Sequence, residues 1–113
     1  MKVLILDDDP SIGMLLELAL SAVSIEVNWV NSVSVLFQEL DKSNIWDGIV
    51  VDFLLPEMDG LKVRSQIVEK YGIDQSKIIF LTASPEKIPS GHLCIPKPFS
   101  PITIGREICD ILE

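Results

Sequence analysis

The chain has 113 residues, with 17 acidic and 9 basic ones beside a single histidine, for a formal net charge of −8. Hydrophobic residues make up 48% and charged residues 23%, a balance that supports a packed core and excludes a disordered chain. The negative charge disfavours a nucleic-acid surface, two cysteines make neither a disulfide framework nor a zinc set, and the longest uncharged run, Val27 to Gln38, is too short to cross a bilayer. Lys2, then an apolar run, then three aspartates is no signal peptide, so the expectation is a cytoplasmic acidic domain over residues 1–113 with no membrane insertion.

Lys2-Val3-Leu4-Ile5-Leu6 is a short apolar run that stops on acid, as a strand buried on both faces does. Asp9-Pro10 then opens a helix, with Asp9 as N-cap and Pro10 in the first turn. Ile12, Leu15, Leu16, Ala19 and Val23 recur at helical spacing along it. Glu26 to Val30 reads as a second strand. Ser32 caps a second helix to about Lys42, with Val33, Leu36, Phe37 and Leu40 on its inner stripe. Asp47 to Val51 is a third strand, again ending on acid at Asp52.

Pro56 sets a turn and Gly60 is expected to supply a positive φ in the loop that follows. Leu61 to Tyr71 forms the third helix, stopped by Gly72. Lys77 to Leu81 is a fourth strand and His92 to Ile95 a fifth. Ser100-Pro101 opens a last helix carrying Ile102, Ile104, Ile108 and Ile111, weakened by Gly105. Strands alternating with helices imply an α/β fold, a parallel sheet covered on both faces.

Polar residues gather where the strands end. Asp7 and Asp8 follow the first strand, Asp52 the third, Thr82 the fourth and Lys97 the fifth. Open parallel sheets bind ligands outside those carboxyl ends. With the first and third strands as neighbours, Asp7, Asp8 and Asp52 converge, and three such carboxylates need a cation to stay ionised. The all-oxygen set suits Mg²⁺ before Ca²⁺. Lys97 and Thr82 add a positive charge and a hydroxyl, so the pocket is built for an anion held on a metal, which points to phosphoryl chemistry.

The residues Asp7-Asp8-Asp9, Asp52-Phe53-Leu54-Leu55-Pro56-Glu57-Met58-Asp59-Gly60, Leu81-Thr82-Ala83 and Lys97-Pro98-Phe99 stand in the order found in receiver domains of bacterial two-component response regulators, which the chain resembles along essentially its whole length. The resemblance implies a flavodoxin-like, doubly wound, five-stranded sheet in the order 2-1-3-4-5. It implies a signalling module and no enzyme, phosphorylated on Asp52 by a sensor histidine kinase or histidine phosphotransfer protein with Mg²⁺ as cofactor. By the same resemblance Asp8 binds the metal directly, Asp7 mainly through water, and Asp52 and the Leu54 backbone carbonyl complete the protein ligands. Thr82 and Lys97 hold phosphoryl oxygens, and the Lys97–Pro98 junction is often cis in this family. The chain is then either a stand-alone regulator or the receiver of a longer one.

Two stretches depart from that pattern. The aromatic residue that receivers usually carry three positions before the lysine is Cys94 here, and a thiol cannot reproduce its inward and outward swing. Ser84 to Gly91 is short and holds Pro85 and Pro89, so the family's fourth helix is expected to be truncated or absent and the output surface remodelled. Leu54 is apolar and cannot orient a hydrolytic water, which implies a long-lived acyl phosphate. His92 is expected on the surface or in packing, Cys94 and Cys109 as small buried residues, and Trp29 and Trp46 as packing residues. The first helix, with Ile12, Met14, Leu15 and Leu18, offers a docking face.

Two other readings fit parts of the pattern. A haloacid-dehalogenase-like phosphatase would use Asp7 and Asp9, Thr82 and Lys97, but also needs an acidic pair after a later strand. Only Glu107, Asp110 and Glu113 follow, on the expected last helix. A receiver-fold interaction module that works without phosphate would explain Cys94 and the short fourth-helix segment.

Overall fold

A computed structural model describes residues 1–113. Five parallel strands, β1 (Lys2–Leu6), β2 (Glu26–Val30), β3 (Gly48–Asp52), β4 (Ile78–Thr82) and β5 (Leu93–Pro96), lie in the order β2-β1-β3-β4-β5. The helices are α1 (Pro10–Ser21), α2 (Val33–Lys42), α3 (Gly60–Tyr71) and α4 (Ile104–Leu112). This is the sheet order and helix count expected from the sequence.

Strand periodicity divides the core in two. Leu4, Leu6, Ile49, Val51, Ile78 and Phe80 face one side, where Val33, Leu36 and Leu40 of α2 and Val63 and Ile67 of α3 cover them. The alternate residues, Val3, Ile5, Val50, Ile79, Leu81 and Ile95, face Leu16 and Leu20 of α1 and Ile104, Ile108 and Leu112 of α4. Every residue of β3 and β4 is buried, so those strands read as unbroken apolar runs that stop only at Asp52 and Thr82.

The caps are where local chemistry places them. Asp9 accepts from the Ser11 N–H at 2.9 Å to start α1, and Ser32 accepts from Val35 N–H at 3.2 Å to start α2. Gly72, at φ 65°, ends α3 in the left-handed conformation.

Several expectations need correction. Gly60 does not take a positive φ; it is buried because α3 begins hard against the chain after Asp52, where a Cβ would stand 2.9 Å from the Phe53 carbonyl oxygen. On α1 the buried positions are Gly13, Leu16 and Leu20, while Val23 lies beyond the helix and is exposed. The last helix starts at Ile104, not Ser100. Ser100 gathers the N–H groups of Ile102, Thr103 and Ile104 into a turn, which leaves Ile102 90% exposed. Cys94 and Cys109 are half-buried rather than enclosed.

The expected loss of a helix between β4 and β5 is observed. Only a single 3-10 turn, Pro85–Lys87, occupies the segment, held by Lys87 N–H to Ser84 carbonyl and Ile88 N–H to Pro85 carbonyl. Ile88 packs against the α2/α3 side of the core in place of a helix face. His92 lies against Phe80, ring centroids 5.7 Å apart, as a packing residue. Cys94 pairs in register with Phe80 on this thinly covered side, and burial raises its thiol pKa above the ordinary value.

Candidate functional site

The pocket forms because three strands end together. Register sets Leu6 beside Val51 and Asp52 beside Leu81, so the residues after β1 and the last residues of β3 and β4 open on one sheet edge. Ligand oxygens of Asp7, Asp8 and Asp52 lie within 4.8 Å of one another, with Asp7 and Asp52 buried and Asp8 exposed.

Lys97 arrives from beyond β5. Its Nζ stands 3.0 Å from Asp7 Oδ2 and 3.6 Å from Asp52 Oδ1. Its own N–H donates to the Thr82 carbonyl at 2.6 Å, which ties it to the end of β4, and the Lys97–Pro98 peptide is cis. Thr82 is buried, and its Oγ1 accepts from the Ser84 N–H at 3.0 Å. The structure thus brings Asp7, Asp8, Asp52, Thr82 and Lys97 to one edge. The Leu54 N–H donates to Asp52 Oδ1 at 3.3 Å, placing that peptide beside the carboxylate.

The electrostatics are unbalanced in one direction. Burial first, and the Asp7 charge second, push the Asp52 carboxyl up to about 6; Lys97 and the Leu54 N–H pull it back only in part. One ammonium cannot neutralise three carboxylates. The donors are all oxygen, two are buried, and the third is open to solvent, which fits a hard divalent cation keeping some water.

The loop after Asp52 is tied down elsewhere. Glu57 accepts from the Val33 N–H at 3.2 Å at the start of α2, and Asp59 accepts from the Leu61 N–H at 2.8 Å at the start of α3. Leu54 is 53% exposed.

The sequence matches the family described as the response regulator receiver domain over residues 3–104. The chain belongs to that family. It is 36% identical to the transcriptional regulatory protein SrrA of Staphylococcus aureus across 99% of this chain and 48% of that protein, so it spans about half the length of the curated relatives it matches. Among solved structures, the chemotaxis response regulator CheY4 of Vibrio cholerae superposes with a TM-score of 0.83 at 26% identity, over 97% of both chains. The Francisella response regulator 1452 receiver domain gives 0.76 at 27% identity, over 98% of this chain and 95% of that one. The Thermotoga maritima response regulator TrrA, solved in complex with Mg(2+)-BeF, shares the fold at 23% identity with a TM-score of 0.79, over 97% of both chains.

As a receiver the chain is a module of two-component signalling and no classical enzyme. Glu107 and Asp110, which a dehalogenase-like site would need near the cluster, lie on α4. No helix is long and apolar enough to cross a membrane.

One contact at this site was not legible from the sequence. The Trp29 indole N–H donates to the Asp7 carbonyl at 2.9 Å, so a residue read as simple packing touches the acidic loop itself. Its only sequence-level trace is Gly13, a helix-interior glycine that a packing stripe does not call for.

Proposed function

We propose that residues 1–113 form one phosphoacceptor receiver domain, cytoplasmic, with Asp52 as the acceptor and a sensor histidine kinase or histidine phosphotransfer protein as donor. The observation that carries this reading is the convergence of Asp7, Asp8 and Asp52 on the sheet edge with Lys97 3.6 Å from Asp52.

Asp7, Asp8, Asp52 and the Leu54 backbone carbonyl would hold Mg²⁺. Once bound, the ion supplies positive charge that offsets the charge on the transferring group and keeps Asp52 ionised. An ionised Asp52 oxygen attacks the phosphorus of a phosphohistidine; the new P–O bond forms as the P–N bond breaks, and the imidazole leaves, taking a proton from water. The product is an aspartyl phosphate. Lys97, held by Thr82 at its own N–H, would pair with one phosphoryl oxygen, and the Thr82 hydroxyl would donate to another.

Beryllofluoride, a phosphoryl mimic, provides the test, and the Mg(2+)-BeF complex of TrrA supports its choice. Backbone amide spectra should shift around Asp52, Thr82 and Lys97 when Mg²⁺ and beryllofluoride are added together. Asp52→Ala should show no such response.

A second reading is favoured by Cys94 and by the single turn at Pro85–Lys87, which leave the usual switch elements without their aromatic and their helix. It is a receiver-fold interaction module that binds its partner without phosphate. Unchanged spectra in the wild-type chain would favour it.

A further inference from the structure

β2 is an edge strand, and its register sets Trp29 beside Ile5, on the side of the sheet that α1 covers. The indole lies close against α1 at Gly13, where a Cβ would fall 2.4 Å from the ring atom Cε2. Any side chain at position 13 would displace the ring. Glycine is a poor residue inside a helix, and its presence here has a specific reason in that contact.

The ring so seated aims its Nε1–H at the Asp7 carbonyl, 2.9 Å away. That carbonyl belongs to the peptide joining Asp7 to Asp8. Asp7 is also held at its N–H, which donates to the Val30 carbonyl at 3.2 Å, and its Oδ1 accepts from the Asp9 N–H at 2.9 Å. Its Oδ2 accepts from Lys97 at 3.0 Å. The Asp7 carbonyl is past the last ladder pair of β1, so the indole supplies the hydrogen bond that the sheet no longer can. Rotation of that peptide would swing Asp8 relative to Asp52, and metal affinity is sensitive to displacements of this kind.

We propose that Trp29 is a positioning residue for the acidic cluster: its indole N–H, seated on Gly13, fixes the Asp7–Asp8 peptide and so sets the affinity for the divalent cation. This rests on the reading of Asp7, Asp8 and Asp52 as a cation site. Trp29 itself touches no reacting atom.

The test is calorimetric titration of Mg²⁺ into the 113-residue chain as wild type, Trp29→Phe and Trp46→Phe. Phenylalanine keeps a ring on Gly13 but has no donor. Trp46 precedes β3, at the opposite end of the sheet, and controls for the loss of a tryptophan. Trp29→Phe should bind Mg²⁺ about tenfold more weakly, the low end for outer groups that orient metal ligands. Trp46→Phe should match wild type. Saturating Mg²⁺ should return the phosphorylation rate of Trp29→Phe by acetyl phosphate to the wild-type plateau, which a general folding defect would not allow.

Equal Mg²⁺ affinity in wild type and Trp29→Phe overturns the proposal and leaves the cation site standing. A wild type that binds no Mg²⁺ overturns the cation reading, and the proposal with it, before any variant is made. If Trp29→Phe does not fold, the wild-type indole N–H resonances decide. That of Trp29 should exchange slowly with solvent and move on Mg²⁺ saturation while that of Trp46 stays still. A Trp29 indole that exchanges freely and ignores Mg²⁺ overturns the proposal.

Discussion

Lys97 Nζ stands 3.0 Å from Asp7 Oδ2, an ion pair that joins residues 90 positions apart. The Asp7 side chain is fully buried and that of Lys97 is 19% exposed, so solvent screens the pair little. It closes the sheet edge from β1 to the segment after β5, and it leaves Asp52, the next carboxylate along, only partly compensated.

That partial compensation gives a stability signature. Asp52 titrates at about 6 in the fold against 3.8 for an unperturbed aspartate, chiefly through burial and then the Asp7 charge. The folded state therefore holds this proton to higher pH than the unfolded chain, and the metal-free fold loses stability as pH rises from about 4 to about 6. Two pKa units correspond to about 3 kcal/mol. Asp52→Asn, which cannot ionise, should be more stable than wild type by about 2 kcal/mol at pH 7.5 in urea denaturation without metal, with the gain shrinking below pH 5. A variant less stable than wild type at pH 7.5 would contradict this electrostatic account.

Removing the cation should act in the opposite sense. Lys97→Met keeps the aliphatic stem but leaves Asp7 buried without its charged partner. A loss of about 3 kcal/mol is expected at pH 7.5, the scale for breaking a buried pair from one side. Urea denaturation in the presence of a chelator reads it directly, and a loss below about 0.5 kcal/mol would mean the pair is effectively solvated.

The role expected of Leu54 concerns a later step. Its side chain is exposed, two residues past Asp52, yet has no group that can orient a water for attack on an aspartyl phosphate. Leu54→Asn adds such a group, and the half-life of the phosphorylated form should fall by about tenfold, less than the roughly hundredfold or more of a full general acid or base because an amide only orients the water. Decay followed by intact mass checks it; a longer-lived phosphoryl group in the variant would refute the role given to Leu54.

The segment that replaces a helix should be the least protected part of the chain. Only two backbone hydrogen bonds hold Pro85–Lys87 and its flanks, whereas Ile79, Phe80 and Leu81 sit in the buried centre of the sheet. Amides from Ser84 to Gly91 should exchange through local opening, while those of β4 should exchange only on global unfolding. Protection across residues 84–91 equal to that of α3 would imply a hidden helix and contradict the remodelled face.

What was readable in advance follows the range of the interactions. Strand ends, caps and the missing helix depend on neighbours in sequence: apolar runs that stop on acid, Asp9 before Pro10, and two prolines between Ser84 and Gly91. Asp52, Thr82 and Lys97 were legible because a parallel sheet delivers its strand ends to one edge whatever the details of packing. The hydrogen bond from Trp29 to Asp7 was not, since it exists only once β2 lies beside β1 and α1 presents Gly13 to the ring. Gly60 misled for a related reason. A glycine in a loop suggests a positive φ, but here the demand is for close approach to Phe53, which no local rule encodes. Ile102 looked like the first apolar residue of a helix because the turn that gathers three N–H groups around Ser100 has no signature in apolar spacing.

The central claim is that Asp52 accepts a phosphoryl group at this edge. Intact mass after incubation with Mg²⁺ and acetyl phosphate tests it most directly, with Asp52→Ala in parallel and a chelated sample as control. A single phosphoryl adduct on the wild-type chain, absent from the variant and from the chelated sample, is the predicted result. No adduct on a wild-type chain that demonstrably binds Mg²⁺, or an adduct that persists in Asp52→Ala, would contradict it.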